Sequence, residues 1–153
     1  MPQSLLFRWF GYGRMPDAVR GAAEDARPPF FAEGVNGWLR RSGRLPGGVI
    51  GGGIRGVVGA YALSPRRAVL TIGKHLVVDA APTVGDAGPA VVRVEADGVH
   101  LSVDLDRAVR EGEGWVRLHL KGDLSGALDA SPFRVATLAM PEAGAVALFR
   151  AYR

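Results

Sequence analysis

The chain has 153 residues and a mass of 16.2 kDa, with 48% hydrophobic and 22% charged side chains, which supplies one core and is too short for two. Its 22 glycines, 10 prolines and 8% aromatics argue for many short segments and against a helical bundle, and the absence of cysteine excludes disulfides, a thiol nucleophile and thiolate-bound metal. The net charge of +4 hides an asymmetry: residues 1–76 carry 11 Lys/Arg against 4 Asp/Glu, and residues 77–153 carry 8 against 11.

The N-terminal segment Ser4 to Phe10 is interrupted by Arg8 and lacks the unbroken apolar stretch of a signal peptide. Trp9 and Phe10 read as core residues, and Leu5 to Phe10 is compatible with strand or helix. A short helix is expected from Pro16 to Ala26, with a proline and an acidic residue at its start, alanines inside, and Pro28-Pro29 as its stop. From Gly34 onward the signals are mostly β, so residues 1–33 read as a lead-in and residues 34–153 as a β domain, one structural domain overall.

Gly34 to Leu45 is the first strand candidate, followed by a glycine-rich stretch, Pro46 to Gly56, expected to form a flexible loop. Leu45 to Pro65 has Arg55 as its only charge but fails as a membrane span, because glycines and prolines interrupt it and a mid-bilayer arginine costs about 2.5–3.5 kcal/mol. Val57 to Leu63, Arg67 to Ile72 and His75 to Asp79 are strands joined by two tight turns, which makes them antiparallel neighbours. Ala90 to Ala96 and Val99 to Leu105 flank Asp97-Gly98, a hairpin signal. A two-residue loop at that dipeptide pairs Val94 with Leu101, Val92 with Val103 and Glu95 with His100, with the apolar side chains on one face. Asp106 to Glu111 has helical character, Trp115 to Lys121 alternates as a strand, Phe133 to Ala139 is a further strand, and Glu142 to Tyr152 leans to helix.

Chemical signatures are sparse. Gly51-Gly52-Gly53-Ile54-Arg55-Gly56 matches the spacing of a dinucleotide-binding loop, but no adequate strand precedes it and no crossover helix follows. The chain has neither a zinc-protease, nucleophile-elbow nor Walker-type motif, so no catalytic residue and no cofactor is assigned. Glu95, His100 and His119 are the weak metal candidates, since imidazole and carboxylate on neighbouring strands suit a divalent ion; a solvent-exposed Glu–His pair is the simpler reading. Arg40, Arg41, Arg44, Arg66, Arg67 and Lys74 are the candidate anion- or lipid-binding residues, set near strand ends and turns, with a solubilising face as the simpler reading.

Arg44-Leu45-Pro46-Gly47, Gly59-Ala60-Tyr61-Ala62-Leu63-Ser64-Pro65-Arg66-Arg67 and Leu76-Val77-Val78-Asp79-Ala80 resemble the opening strands of bacterial pleckstrin-homology-like and GRAM-like domains, and Val99 to Lys121 is similar in order. The resemblance covers residues 34–125, with Ser64 where threonine is usual. It implies a bent antiparallel sheet or partly open small barrel that binds lipids or proteins without catalysis. The expected fold is thus mainly β (β-rich α+β), with a short N-terminal helix and a C-terminal helix. The expected function is a cytoplasmic binding module. Its partner is an anionic membrane surface, met at the inner face, or a protein, with no specific nucleic-acid binding. The alternative is a small β-barrel ligand carrier or enzyme with a polar pocket near His100 and His119.

Overall fold

Side-chain alternation organises the molecule. The computed structural model describes residues 14–16, 21–46 and 49–150. Ten antiparallel strands form one curled sheet: β1 (Phe31–Leu45), β2 (Val49–Gly51), β3 (Ile54–Leu63), β4 (Ala68–Ile72), β5 (His75–Ala80), β6 (Thr83–Val84), β7 (Ala90–Glu95), β8 (Gly98–Asp104), β9 (Glu113–Lys121) and β10 (Val135–Thr137). Their spatial order is β5-β4-β3-β1-β9-β8-β7-β10-β6, with β2 alongside the end of β1. Among the described residues three short α-helices accompany them, α1 (Ala22–Asp25), α2 (Leu105–Ala108) and α3 (Glu142–Arg150), with one 3-10 turn at Leu128–Ala130. The fold is therefore the β-rich bent sheet expected; of the helix expected over Pro16 to Ala26 the described residues are helical only at Ala22–Asp25, and the C-terminal segment is helical over Glu142–Arg150. The expectations for Leu5 to Phe10, for residues 17–20 and for residues 151–152 lie outside the described residues.

The inner face carries the core. Val92 and Val94 of β7, Val99, Leu101 and Val103 of β8, and Val116, Leu118 and Leu120 of β9 are all buried, while most of the residues between them are half-buried or exposed. Ala145, Leu148 and Phe149 of α3, Leu105 of α2, and Leu124, Phe133 and Leu138 from loops close over this face. The outer face is covered only in part: Met15 and Ala26 pack on Ala60, Ala62 and Val69 of β3 and β4, which explains why β3 is buried on both sides from Val57 to Leu63.

Two local expectations are corrected. The stretch from Pro46 to Gly56 is not all loop, because Val49–Gly51 pairs with Gly43–Leu45 and β3 already begins at Ile54. The long β1 supplies the hydrogen-bonding edge that overrides the low strand tendency of glycine, and β2 is separated from β3 by Gly52–Gly53, where Gly53 has φ 93. The hairpin loop is Ala96-Asp97, not Asp97-Gly98, so Val94 pairs with Val99, Val92 with Leu101 and Arg93 with His100. The slip is two residues, which preserves every side chain's face. Gly98 itself enters β8 with φ 138 opposite Lys121, where an added Cβ would lie 2.2 Å from the Leu120 carbonyl oxygen.

Strand β1 also begins earlier than Gly34, at Phe31, with a bulge between Ala32 and Val35 where Gly34 has φ 67. Asp104 caps α2 by accepting from the Asp106 amide at 3.0 Å, and that helix ends at Ala108, shorter than the expected run to Glu111. The strand expected over Phe133 to Ala139 is confined to Val135–Thr137.

Val94→Asp places a carboxylate in this apolar interior and should lower the unfolding free energy by about 3 kcal/mol or more. Arg93→Gln, on the opposite face, should stay within about 0.5 kcal/mol. Urea titration distinguishes this from a reversed hairpin, in which the larger loss would fall on position 93. Tyr61 is wholly buried with its hydroxyl donating to the Pro29 carbonyl at 3.3 Å, and burial pushes its pKa from 10.0 up to about 12. The neutral phenol is therefore favoured by folding, and the stability it contributes below about pH 10 should be lost as pH rises toward 12. Tyr61→Phe should flatten that alkaline loss in pH-dependent melts; an unchanged slope contradicts the assignment.

Candidate functional site

The outer face of β1, β9, β8 and β7 is built in cross-strand rows. One row runs Trp38, His119, His100, Arg93, and the next runs Arg40, Arg117, Ser102, Val91. A third sets Ser42 beside Trp115 and Asp104, and a fourth pairs Arg44 with Glu113. Period-two geometry requires this composition, because the same strands send their valines and leucines to the core.

In the histidine row, the His100 and His119 rings stack with centroids 4.0 Å apart and planes 8° from parallel, and Trp38 meets His119 edge-on at 5.3 Å. His100 Nε2 donates to Asp97 Oδ1 at 2.8 Å, while His119 Nε2 donates to the Asp97 carbonyl at 3.0 Å and lies 3.7 Å from its Oδ2. The hydrogen bond from His100 holds the Asp97 carboxyl below the usual aspartate range, and burial holds His119 below the usual histidine range. Of the three residues foreseen, His100 and His119 do meet. Glu95 stands farther off, 3.7 Å from His100 Nε2, and the residue that joins both rings is Asp97, through its carboxylate to His100 and its backbone carbonyl to His119. A groove of about 870 Å³ opens beside this cluster, with Asp97, His119, Lys121 and Asp123 among its walls.

The arginine row has no such carboxylate. Arg40 and Arg117 are both exposed and directly opposite one another, which puts their Cβ atoms about 5 Å apart. Each guanidinium lies over a tryptophan: Arg40 at 5.7 Å from the Trp38 ring and Arg117 at 4.5 Å from Trp115. The nearby carboxylates are committed elsewhere, Asp104 to the α2 cap and Asp106 to the Gly114 amide at 3.0 Å. A hollow of about 550 Å³ lies next to Arg117, with Arg93, Ser102 and Trp115 in its walls.

The basic residues singled out by sequence do not assemble into one patch. Arg41 faces the opposite way from Arg40, donates to the Phe149 carbonyl and lies over that ring at 5.5 Å, which places it at the C-terminal end of α3. Arg44 pairs with Glu113 at 3.1 Å at the far end of β1. Arg67 forms a two-pronged pair with Asp79 at 2.7 and 2.6 Å, which lowers the Asp79 pKa, so its charge is largely compensated. Arg66 is exposed in the β3–β4 turn and Lys74 in the β4–β5 turn, at opposite ends of β4. Arg117 escaped notice because it stands alone in sequence, and Asp97 because it reads first as a turn residue; the alternation of β9 is the signal that carries Arg117.

No protein-family model, no curated protein and no solved structure matches the chain.

Proposed function

We propose that this chain is a binding module of pleckstrin-homology-like type that docks peripherally on anionic lipid through the outer face of β1 and β9. The observation that carries the reading is the Arg40–Arg117 pair. Like charges directly opposite on a sheet repel. Among the described residues, neither guanidinium has a carboxylate within salt-bridge distance, and an anionic headgroup between them supplies the missing counter-charge.

The flanking tryptophans support the same reading, since an indole ring with a polar N–H suits the lipid headgroup region. The filled interior, lined by buried Val, Leu and aromatic side chains from β3, β7, β8, β9 and α3, favours a surface binder over a carrier that needs an internal cavity. The similarity of residues 34–125 to pleckstrin-homology-like domains points in the same direction.

Sedimentation with phosphatidylcholine vesicles, with and without phosphatidylserine, tests the proposal. Binding should require the anionic lipid and weaken between low and physiological salt, because each basic residue near headgroups contributes about 1 kcal/mol and salt screens it. Arg40→Glu with Arg117→Glu should reduce partitioning about tenfold or more. Arg66→Glu with Arg67→Glu should reduce it less, since Arg67 is already neutralised by Asp79. Absence of binding at low salt, or equal losses from both double variants, overturns the reading.

A further inference from the structure

We infer that Asp97, His100 and His119 form a binding site for a divalent transition-metal ion of the zinc class. The inference is independent of the lipid reading, and either can fail alone.

Three side chains drawn from two strands and the turn joining β7 to β8 present one ligand atom each, and these atoms all lie within 4.8 Å of one another. Two imidazole nitrogens and a carboxylate oxygen are a donor set that zinc, cobalt and nickel accept. Such ions bind nitrogen and oxygen at about 2.0–2.2 Å, so ligand atoms sharing one ion sit roughly 3–3.5 Å apart. The His100 Nε2 to Asp97 Oδ1 separation of 2.8 Å is just under that span, and the 3.7 Å from His119 Nε2 to the other carboxylate oxygen is just over it, so small side-chain rotations bring both to ligand spacing. Both ring nitrogens thus lie within 4 Å of one carboxylate, and an ion entering there takes the place of the two Nε2 protons, which shift to Nδ1 in neutral imidazoles.

The framework that holds the rings is rigid. His100 and His119 are cross-strand partners in the centre of the sheet, and Trp38 seats the edge of His119. Asp97, by contrast, is exposed on the turn and has the freedom to close on the ion. The adjoining groove provides a route of entry and leaves room for water at a fourth position. A structural role for the cluster needs only the two hydrogen bonds to Asp97, from His100 to its carboxylate and from His119 to its backbone carbonyl; it does not need the second ring stacked in parallel with its nitrogen within 4 Å of the same carboxylate.

Cobalt(II) titration of the full chain tests the inference, read by visible absorption and tryptophan fluorescence. A saturable one-to-one transition should appear, with the intense d–d bands of a four- or five-coordinate ion and quenching of Trp38, and zinc should displace the cobalt. His100→Ala and Asp97→Ala, both at partly exposed positions, should each weaken binding about tenfold or more. His119→Gln is added only with circular dichroism to confirm folding. His75→Ala, on β5 away from the cluster, should bind as the parent does. Lack of saturation below about 1 mM cobalt, or parent-like affinity in both His100→Ala and Asp97→Ala, overturns the site.

Discussion

The register of β1 against β9 and of β9 against β8 is the constraint on which the remainder depends. With side chains alternating between faces, one pairing decides simultaneously that Leu118, Leu101 and Leu39 enter the core and that Trp38, His119 and His100 share an outer row. A one-residue slip in β9 would turn Arg117 and His119 toward the core and Val116 and Leu118 away from it, a loss of several kcal/mol in transfer alone at about 25 cal/mol per Å². Core energetics thereby fix the geometry of a polar face that contributes little to folding itself. A pair of glycines reinforces the arrangement: Gly43 and Gly114 are cross-strand partners, both at positive φ, and a Cβ on either would sit 2.0 Å from a carbonyl oxygen of the facing strand.

The two outer rows differ in how their polar groups are satisfied, and that difference is the basis of both functional readings. In the histidine row every ring nitrogen aimed at the turn finds Asp97, so the cluster is complete as a hydrogen-bonded unit and has donor atoms suited to an ion. In the arginine row two cations face each other over tryptophans, held with stacking and without a carboxylate. A sheet tolerates such repulsion at an exposed position for a few tenths of a kcal/mol up to roughly 1 kcal/mol, an amount an anionic partner recovers on binding. Other cations are matched, Arg67 by Asp79 and Arg44 by Glu113.

Local alternation and turn signals make the β3–β4–β5 meander and the β7–β8 hairpin legible from residues alone, whereas Glu142 to Tyr152 reads as helix or strand from its sequence and only the structure decides for helix over Glu142–Arg150. The long-range order was not legible, because the placement of β1 between β3 and β9 depends on contacts more than 60 residues apart in sequence, such as Arg44 with Glu113. The glycine stretch has the propensity of a loop, and only the edge of β1 converts part of it to strand. The basic clusters misled for a simple reason: neighbours in sequence point to opposite faces, so Arg40 and Arg41 part company while Arg40 and Arg117 meet. The histidine pair was half visible, since alternation put His100 and His119 on polar faces but could not make β8 and β9 neighbours, and the Asp97-Gly98 turn signal concealed the third member of the cluster.

The most direct test is a nuclear magnetic resonance titration of the ¹⁵N-labelled chain with bicelles containing phosphatidylserine, which maps the docking face without altering any residue. The indole N–H signals of Trp38 and Trp115 and the amides from Trp38 to Ser42 and from Trp115 to His119 should shift or broaden together, saturating at one common affinity. Perturbation centred instead on Ser64 to Arg67 and Lys74, with both indole signals unmoved, contradicts the account.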